Sequence, residues 1–209
     1  MSDLTAGRLS VYLRCLTCLE ADGVKSISSR SLAERFHLNA AQIRKDLAYF
    51  GEFGVRGVGY YVASLKVHLR AILGLEKAVR VGIIGAGNLG RALADYPGFR
   101  AEGFAIVALF DKDPDRVGRH SREAVPILHV DRFAGMAQAG EIDIAVVAVP
   151  SDAAQPVVNM AVAAGVRAVL NFSPGALQVP AGVKLKNVDL TVSLESLSFF
   201  LARGDADDR

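Results

Sequence analysis

The residue pattern with the clearest chemical meaning is a short glycine motif near the middle of the chain. It reads Gly85-Ala86-Gly87-Asn88-Leu89-Gly90. It follows a β-branched run over 79–84 and precedes a helix-like segment over 91–95. In a strand-to-helix turn, the first glycine permits the tight turn, the second lets the backbone approach a pyrophosphate, and the third lets the helix pack on the strand. The motif therefore predicts a dinucleotide site with its phosphates at the positive end of the helix.

A second apolar run supports this interpretation. Residues 104–110 end in Asp111, 21 residues after Gly90. A carboxylate at this position of a dinucleotide fold accepts the hydroxyls of the adenosine ribose and repels a 2′-phosphate. We therefore expect NAD(H) rather than NADP(H), a preference that the adjacent Lys112 weakens slightly.

The pattern of short strands and helices continues to the end of this region. Candidate strands lie at 126–128, 142–148, 168–171 and 183–185, with a helix over 153–164. Such alternation predicts an α/β fold of the Rossmann type, with a mostly parallel, doubly wound sheet. Loops after the strands line the ligand crevice of such a sheet, although they can also be plain connections. The crevice loops add these candidates to the cofactor site: Val149, Pro150, Asn171, Phe172, Ser173 and Pro174.

These loops lack the groups that hydride transfer requires. A dehydrogenase needs a positioned acid or base near the nicotinamide, and the loops offer Ser151 and Asp152 besides Asn171 and Ser173. His129 is the conceivable catalytic histidine, but no orienting partner adjoins it and a solvated or core-edge role is favoured. We expect no catalytic residue and no metal, with NAD(H) as a regulatory ligand rather than a redox substrate.

The first part of the chain has helical periodicity. A helix is predicted over 5–21, with an apolar stripe that includes Leu9 and Leu16. Ser29 is the expected N-cap of a short second helix ending near 37–38, and Asn39 the cap of a third, with Gln42 in the capping-box position. Two helices joined by a tight turn indicate a helix-turn-helix.

The third helix has an outward face suited to DNA. At 100° per residue, the side chains pointing away from the core are Ala41, Gln42, Arg44, Lys45, Ala48 and Tyr49. Small residues allow close approach to base edges, Arg pairs with guanine and Lys neutralises phosphate. A merely solvated face normally carries charges of both signs, whereas Asp46 lies toward the core, so DNA contact is favoured.

A glycine-rich segment over 51–61 follows, with alternating apolar residues, and predicts a β-hairpin. After a recognition helix, a hairpin is typical of the wing of a winged helix. Its tip, Arg56 and Gly57, would place a guanidinium in a minor groove. A purely structural hairpin is the alternative. A fourth helix over 62–73 closes this domain.

Composition and charge agree with this division. The chain has 209 residues, of which 51% are hydrophobic and 22% charged. Residues 1–78 carry 11 basic and 7 acidic side chains, whereas residues 79–209 carry 13 and 15, which favours polyanion binding by the first half. The apolar runs at 104–110 and 144–149 are too short to cross a bilayer, and the N-terminus has no signal pattern. With only two cysteines, we expect a cytoplasmic protein without membrane association.

Two apolar surfaces lack an obvious partner within the chain. Cys15 and Cys18, with Val11, form a second stripe on the first helix. A redox or half-zinc role for the cysteines is disfavoured, because no further ligand lies nearby in the sequence. Residues 190–202 form a strongly apolar helix before a polar tail, Arg203–Arg209, and such a helix would aggregate if left exposed. We expect it to pack into another subunit.

Four segments together resemble the Rex family of redox-sensing transcriptional repressors. They are residues 42–51, 56–60, 85–93 and 171–174, and the match extends over nearly the whole chain. The resemblance implies a winged-helix DNA-binding domain (1–78), a Rossmann NAD(H)-binding domain (79–188) and a C-terminal segment (189–209) with a domain-swapped helix. It also implies a homodimer on palindromic double-stranded operator DNA, released by NADH and restored by NAD⁺. An interdomain polar network of Arg14, Tyr96 and Asp189 is implied in the same way.

The sequence is also compatible with two other classes of function. One is an NAD-dependent oxidoreductase with an accessory winged helix, which the missing catalytic base disfavours. The other is a regulator that binds CoA or another nucleotide, which Asp111 at the ribose position disfavours.

Overall fold

The computed structural model describes residues 3–207 and the side chains of residues 4–202. The chain divides into two compact units between Lys77 and Ala78. The predicted fold class, a winged helix followed by a Rossmann domain, is confirmed. Among the described residues, no helix combines the length and apolar character that a membrane crossing requires.

The N-terminal unit is a winged helix. Its elements are α1 (Asp3–Ala21), β1 (Ser26–Ile27), α2 (Ser29–Phe36), α3 (Ala40–Phe50), β2 (Gly54–Val55), β3 (Gly59–Tyr61) and α4 (Val62–Ile72). The predicted stripe of α1 is fully buried, with Leu9, Leu16 and Leu19 at 0% exposure. It packs against α4, whose Leu65 and Leu69 are also buried. The helix predicted over 62–73 ends one residue earlier than expected.

The caps of α2 and α3 set the helix-turn-helix geometry. The N-cap of α2 is Ser28, whose Oγ accepts the Ser31 N–H at 3.0 Å, so the prediction of Ser29 was wrong by one residue. Both are serines, and only the backbone geometry decides which one precedes the helix. Asn39 caps α3 as predicted, accepting the Gln42 N–H at 2.9 Å. Between the helices, His37 adopts a left-handed conformation (φ 54°) that turns the chain sharply.

The predicted hairpin forms from β2 and β3, which pair antiparallel, and β3 also pairs with β1 in a three-stranded sheet. Its tip turns at Gly57 (φ +80°), and the Val58 N–H donates to the Val55 carbonyl at 3.0 Å. At Gly59 (φ +94°) an added Cβ would lie 2.4 Å from the Ile27 carbonyl oxygen. The close approach of β1 to β3 therefore requires glycine there.

The C-terminal unit has six parallel strands in the order β6-β5-β4-β7-β8-β9. Its elements are β4 (Val79–Ile84), α5 (Asn88–Ala94), α6 (Pro97–Ala101), β5 (Phe104–Asp111), β6 (Ile127–His129), α7 (Arg132–Gln138), β7 (Ile144–Val147), α8 (Ser151–Ala163), β8 (Ala168–Asn171), β9 (Lys184–Asn187) and α9 (Leu190–Asp207). The strand order reverses between β4 and β7, which is the topological switch point of a doubly wound sheet. The first βα turn, at the glycine motif, lies at this switch.

The two faces of the sheet are covered unequally. One face carries the larger core, in which Phe110 and Phe133 pack edge-to-face beneath α7 and α8. The other face is covered by the short helices α5 and α6. Beside them an apolar cavity of about 130 Å³ remains, lined by side chains of four strands together with Leu93, Phe99 and Phe172.

Helix α9 extends five residues beyond the predicted end at residue 202, reaching Asp207. The predicted polar tail is thus helical up to that residue, and Asp208 and Arg209 lie outside the described residues. Asp189 caps the helix, since its Oδ1 accepts the Thr191 N–H at 2.8 Å. All the large apolar side chains from Leu190 to Leu201 are exposed, by 54% to 75%.

Candidate nucleotide and DNA interfaces

The glycine loop between β4 and α5 has the geometry that close approach to a phosphate requires. A Cβ on Gly85 (φ +106°) would lie 2.3 Å from the Ala148 carbonyl oxygen, and one on Gly90 would lie 1.8 Å from the Gly85 carbonyl oxygen. These two glycines therefore allow the loop, α5 and the end of β7 to pack together. Around Gly87, by contrast, the space is open, so the backbone there is accessible to a ligand.

A cleft of about 830 Å³ opens at the carboxyl ends of the strands, where a doubly wound sheet binds its ligand. It has room for much of a dinucleotide. Of the predicted cofactor residues, those that line it are Gly85, Gly87, Asp111, Lys112, Val149 and Pro150. Asn88, Leu89, Gly90 and residues 171–174 do not line this cleft.

Asp111 lies in the cleft at the end of β5, mostly buried. Its carboxylate accepts the N–H of Ala86 at 2.7 Å and of Asp113 at 3.0 Å, and Arg116 Nη1 donates to it at 3.0 Å. Burial raises the pKa of Asp111, but these three donors outweigh it and hold the pKa below its ordinary value. The side chain is therefore a charged acceptor at the predicted ribose position and is hydrogen-bonded to the glycine loop.

Sequence reasoning missed Arg116. The residue lines the cleft and pairs with both Asp111 and Asp113. The signal available was a basic residue five positions beyond the strand end, but the turn that brings it back to Asp111 was not evident from residue types. Arg116 places a positive charge beside the predicted ribose site, as Lys112 does.

The loop after β8 is held by side chains that point inward. Asn171 is 0% exposed; its amide donates to the Ser173 carbonyl at 2.8 Å and its Oδ1 accepts the Ser173 N–H at 2.9 Å. Ser173 Oγ donates to the Val149 carbonyl at 2.5 Å. The two predicted crevice loops are thus joined by hydrogen bonds. Between Asn171 and Ser173, Phe172 lines the apolar cavity instead of the larger cleft.

Of the six α3 side chains predicted to point outward, five are exposed, and the sixth, Gln42, bonds to the buried Asp46. Ile43 and Leu47 are buried, whereas Arg44, Lys45 and Tyr49 are exposed. Ala41 and Ala48 are also exposed, and Gln42 is half-buried. Arg44 Nη1 donates to Ser29 Oγ at 3.0 Å, which ties the cationic face to the start of α2. At the wing tip Arg56 and Gly57 are exposed, and with Arg44 they line a shallow groove between wing and helix.

The acidic residue of α3 is neutralised inside the N-terminal unit. Asp46 is 4% exposed, and Arg8 of α1 pairs with both its oxygens, at 2.5 and 2.7 Å. Tyr12 Oη donates to it at 2.9 Å and Gln42 Nε2 at 2.8 Å. The hydrogen bonds from Arg8 lower the pKa of Asp46 to about 2, against the effect of burial. The cationic face of α3 is therefore not opposed by a free carboxylate.

Asp46→Asn is expected to lower the free energy of unfolding by about 2 kcal/mol near neutral pH, because it removes the charged acceptor of this cluster. The folded-state pKa lies below the ordinary value of 3.8, so the stabilisation is present above that pH. It is lost as the pH falls through about 2. Urea unfolding of both proteins, followed by circular dichroism across this range, measures the difference.

Asp22→Asn is the matched control, since it removes a carboxylate whose ion pair with Arg35 is solvent-exposed. We expect a change of at most about 1 kcal/mol for this variant. Equal losses for both substitutions would contradict a special role of Asp46.

Of the three predicted switch residues, Arg14 lies in the N-terminal unit and both Tyr96 and Asp189 lie in the C-terminal unit. Arg14 is exposed on α1, and Asp189 caps α9. Tyr96, which immediately precedes α6, is exposed, and its ring packs edge-to-face against Phe99 of that helix. The network between the units therefore stays a prediction.

Of the cysteines on α1, Cys15 is buried and Cys18 exposed. No cluster of three metal-ligating side chains occurs within the described residues.

A winged helix with a cationic recognition face, joined to a Rossmann unit with a dinucleotide cleft, defines a class of two-domain DNA-binding regulators. Residues 1–48 match the family model described as putative DNA-binding protein N-terminus, and residues 76–175 match the CoA binding domain model. The Redox-sensing transcriptional repressor Rex of Desulfitobacterium hafniense is 48% identical, over 94% of this chain and 93% of its own. The protein of that name from Thermus thermophilus is 50% identical over 92% and 90%.

Solved structures agree. RSP, a Rex-family repressor, in complex with β-NAD⁺ and operator DNA has a TM-score of 0.92 and 40% identity, covering 100% of this chain and 95% of that one. RSP in complex with β-NADH has a TM-score of 0.87 and 38% identity, covering 100% and 97%. The chain belongs to the Rex family of redox-sensing transcriptional repressors, so the resemblance predicted from its motifs is confirmed.

Proposed function

We propose that this protein is a transcriptional repressor that binds a palindromic operator as a homodimer and releases it when NADH binds its Rossmann unit. The observation that carries the proposal is the pairing, in one chain, of a winged helix whose α3 exposes Arg44 and Lys45 with a cleft lined by the glycine loop and Asp111. Membership of the Rex family and the RSP complexes with NAD⁺, NADH and operator DNA support it. A protein with this function works in the cytoplasm.

DNA contact involves the outward side chains of α3 in a major groove and the wing in an adjacent minor groove. Lys45 neutralises phosphate, while Arg44 and Gln42 have the donors and acceptors that read base edges. Ala41, Ala48 and Tyr49 form the close contact surface around them. Arg56 at the wing tip supplies the minor-groove cation, with Gly57 providing the turn.

Nucleotide contact involves the glycine loop and the cleft. The backbone of 85–90 receives the pyrophosphate, Asp111 accepts the ribose hydroxyls, and Lys112 lies beside it. The loop at 149–150 lines the cleft. We assign the loop at 171–174, which is hydrogen-bonded to it through Ser173 and Val149, to the nicotinamide end. The apolar cavity at Phe172, together with the exposed Leu190, suits a neutral dihydronicotinamide better than the cationic oxidised ring.

The switch follows from linkage. If NADH binds a closed dimer more tightly and the operator binds only the open dimer, each ligand weakens the other by the same factor. A full reversal from 1:99 to 99:1 requires about 5.5 kcal/mol of differential binding. Arg14, Tyr96 and Asp189 are the polar groups that we assign to the interdomain contact that changes on closure. The cofactor undergoes no reaction, so no catalytic residue is required.

The dimer is built through α9. This helix exposes its apolar side chains, and the partly covered sheet face of the same unit offers an apolar surface. Exchange of α9 between subunits buries the helix and removes an aggregation hazard. The resulting two-fold axis matches the symmetry of a palindromic operator.

The test is operator binding by fluorescence anisotropy at fixed salt, with NADH, NAD⁺, NADPH and CoA titrated separately. Release by NADH at a much lower concentration than by NAD⁺ or NADPH is expected. Retention of the operator in the presence of every nucleotide would show that the Rossmann unit is not the switch. Release by CoA alone would favour the CoA-binding alternative. Reduction of NAD⁺ to NADH on addition of alcohols or hydroxy acids would favour an enzyme.

A further inference from the structure

The cluster around Asp46 constrains a side chain at the start of the recognition helix. The carboxylate receives four hydrogen bonds, from Arg8 twice, from Tyr12 and from Gln42. A carboxylate has about four acceptor sites, so Asp46 is saturated within the N-terminal unit. Asp46 therefore has no free acceptor site for a hydrogen bond from a DNA base. Any effect it has on DNA recognition passes through its neighbours.

Of these neighbours, Gln42 is the one on the outward face of α3. An ionised carboxylate can only accept hydrogen bonds, so the end of the Gln42 amide that faces Asp46 must be the NH₂ group, at 2.8 Å. The identity of the amide ends is therefore determined chemically. The Gln42 carbonyl oxygen is directed away from Asp46, and no hydrogen bond of the described residues reaches it.

The position of Gln42 makes this orientation relevant to recognition. It is the third residue of α3, between the exposed Ala41 and Lys45. The N-terminal residues of a recognition helix are those that meet base edges in the major groove. The donors available there are the exocyclic amino groups, adenine N6 and cytosine N4. Adenine also accepts at N7, which suits the second N–H of the same amide.

Resting on the proposed function, we infer that Asp46 is a positioning residue that holds the Gln42 carbonyl oxygen toward the DNA, where it accepts a hydrogen bond from the exocyclic amino group of one base in each half-site. Arg8 and Tyr12 hold Asp46 in turn, so the first helix contributes to base selection without touching a base. The guanidinium of Arg8 also cancels the charge that Asp46 would otherwise present to the phosphates.

The test uses duplexes that each lack one amino group. The wild-type protein first selects its operator from a randomised duplex pool, and purine then replaces each adenine, or 2-pyrimidinone each cytosine, one position at a time. At one position per half-site, removal of the amino group is expected to weaken wild-type binding about tenfold. Whether that position is an adenine or a cytosine identifies the base.

The variants assign the effect to the two residues. Gln42→Met keeps the length of the side chain; it is expected to bind the unmodified operator about tenfold more weakly and to be insensitive to loss of that amino group. Asp46→Asn, which lets the Gln42 amide turn, is expected to lose sensitivity at the same position. Asp22→Asn, which removes the exposed ion pair with Arg35, is expected to keep the wild-type pattern.

A purely structural role for Asp46 predicts a different pattern, in which Asp46→Asn binds every duplex more weakly by one factor and keeps its sensitivity at that position. That result would overturn the inference, as would unchanged sensitivity in Gln42→Met, which tests it independently if Asp46→Asn does not fold. Either result leaves the proposed function standing, because the wild type still binds a selected operator. Failure to select any sequence would overturn both.

Discussion

Gly90→Ala is expected to lower NADH affinity about a hundredfold or more while operator binding persists, which converts the protein into a repressor that no longer responds to nucleotide. The added Cβ would lie 1.8 Å from the Gly85 carbonyl oxygen, a distance that no relaxation of a side chain can relieve. Either α5 or the glycine loop must move. Overpacking of this kind costs about 3 kcal/mol, which corresponds to about a hundredfold in affinity.

Anisotropy of the operator complex, titrated with NADH, and direct NADH binding by calorimetry measure both parts of this prediction. Gly135→Ala is the matched control, since it lies in α7 with open space around its Cβ position and is expected to behave as wild type.

Gly87→Ala separates the effect of packing within the protein from the effect of contact with the nucleotide. Its methyl group meets nothing within 4 Å in the protein itself, so we expect normal stability but weaker nucleotide binding. Release of the Gly90→Ala complex at the wild-type NADH concentration would show that the nucleotide does not use this loop.

Two charged residues in the apolar part of α9 are expected to dissociate the proposed homodimer. In the double variant Leu197→Asp and Phe200→Asp, two of the most apolar positions become charged, so the helix no longer gains by packing into a second subunit. A monomer contacts only one half-site, so it loses the gain in affinity that comes from linking two half-site contacts. We expect its operator affinity to be about a hundredfold lower. Analytical ultracentrifugation and operator anisotropy provide the two measurements.

Glu195→Gln on the same helix is the control for this experiment. Glu195 is exposed, and its replacement changes the charge of α9 without altering the apolar side chains. We expect it to remain a dimer with wild-type operator affinity. A double variant that stays dimeric would place the dimer interface elsewhere and remove the basis for helix exchange.

The structural features of the candidate site that the sequence predicted are those determined by neighbouring residues. The glycine spacing, the strand before it and Asp111 at the next strand end are a local turn followed by one crossover. The outward face of α3 follows from the helical period alone, and Asn39 was recognised as a cap by residue type and position. In each case the physical cause acts within a few residues of chain. The family resemblance, in addition, predicted the order of the two domains along the chain.

The contacts that the sequence did not reveal join residues distant along the chain or depend on exact backbone placement. Arg8 meets Asp46 across 38 positions, and Asn187 meets Asn171 across 16. Between two adjacent serines, only the backbone at Ser28 showed which one caps α2. The direction of the Asn171 and Ser173 side chains into their own loop was equally hidden.

The sequence by itself determined the two domains, the glycine loop and the cationic helix face, because turn chemistry and helical period are properties of short segments. Only the tertiary structure decided that Arg116 pairs with Asp111, that Gln42 donates a hydrogen bond to Asp46, and that the described apolar side chains of α9 stay exposed. Those contacts depend on which surfaces pack against each other in the folded protein. Residue types alone do not show which surfaces these are.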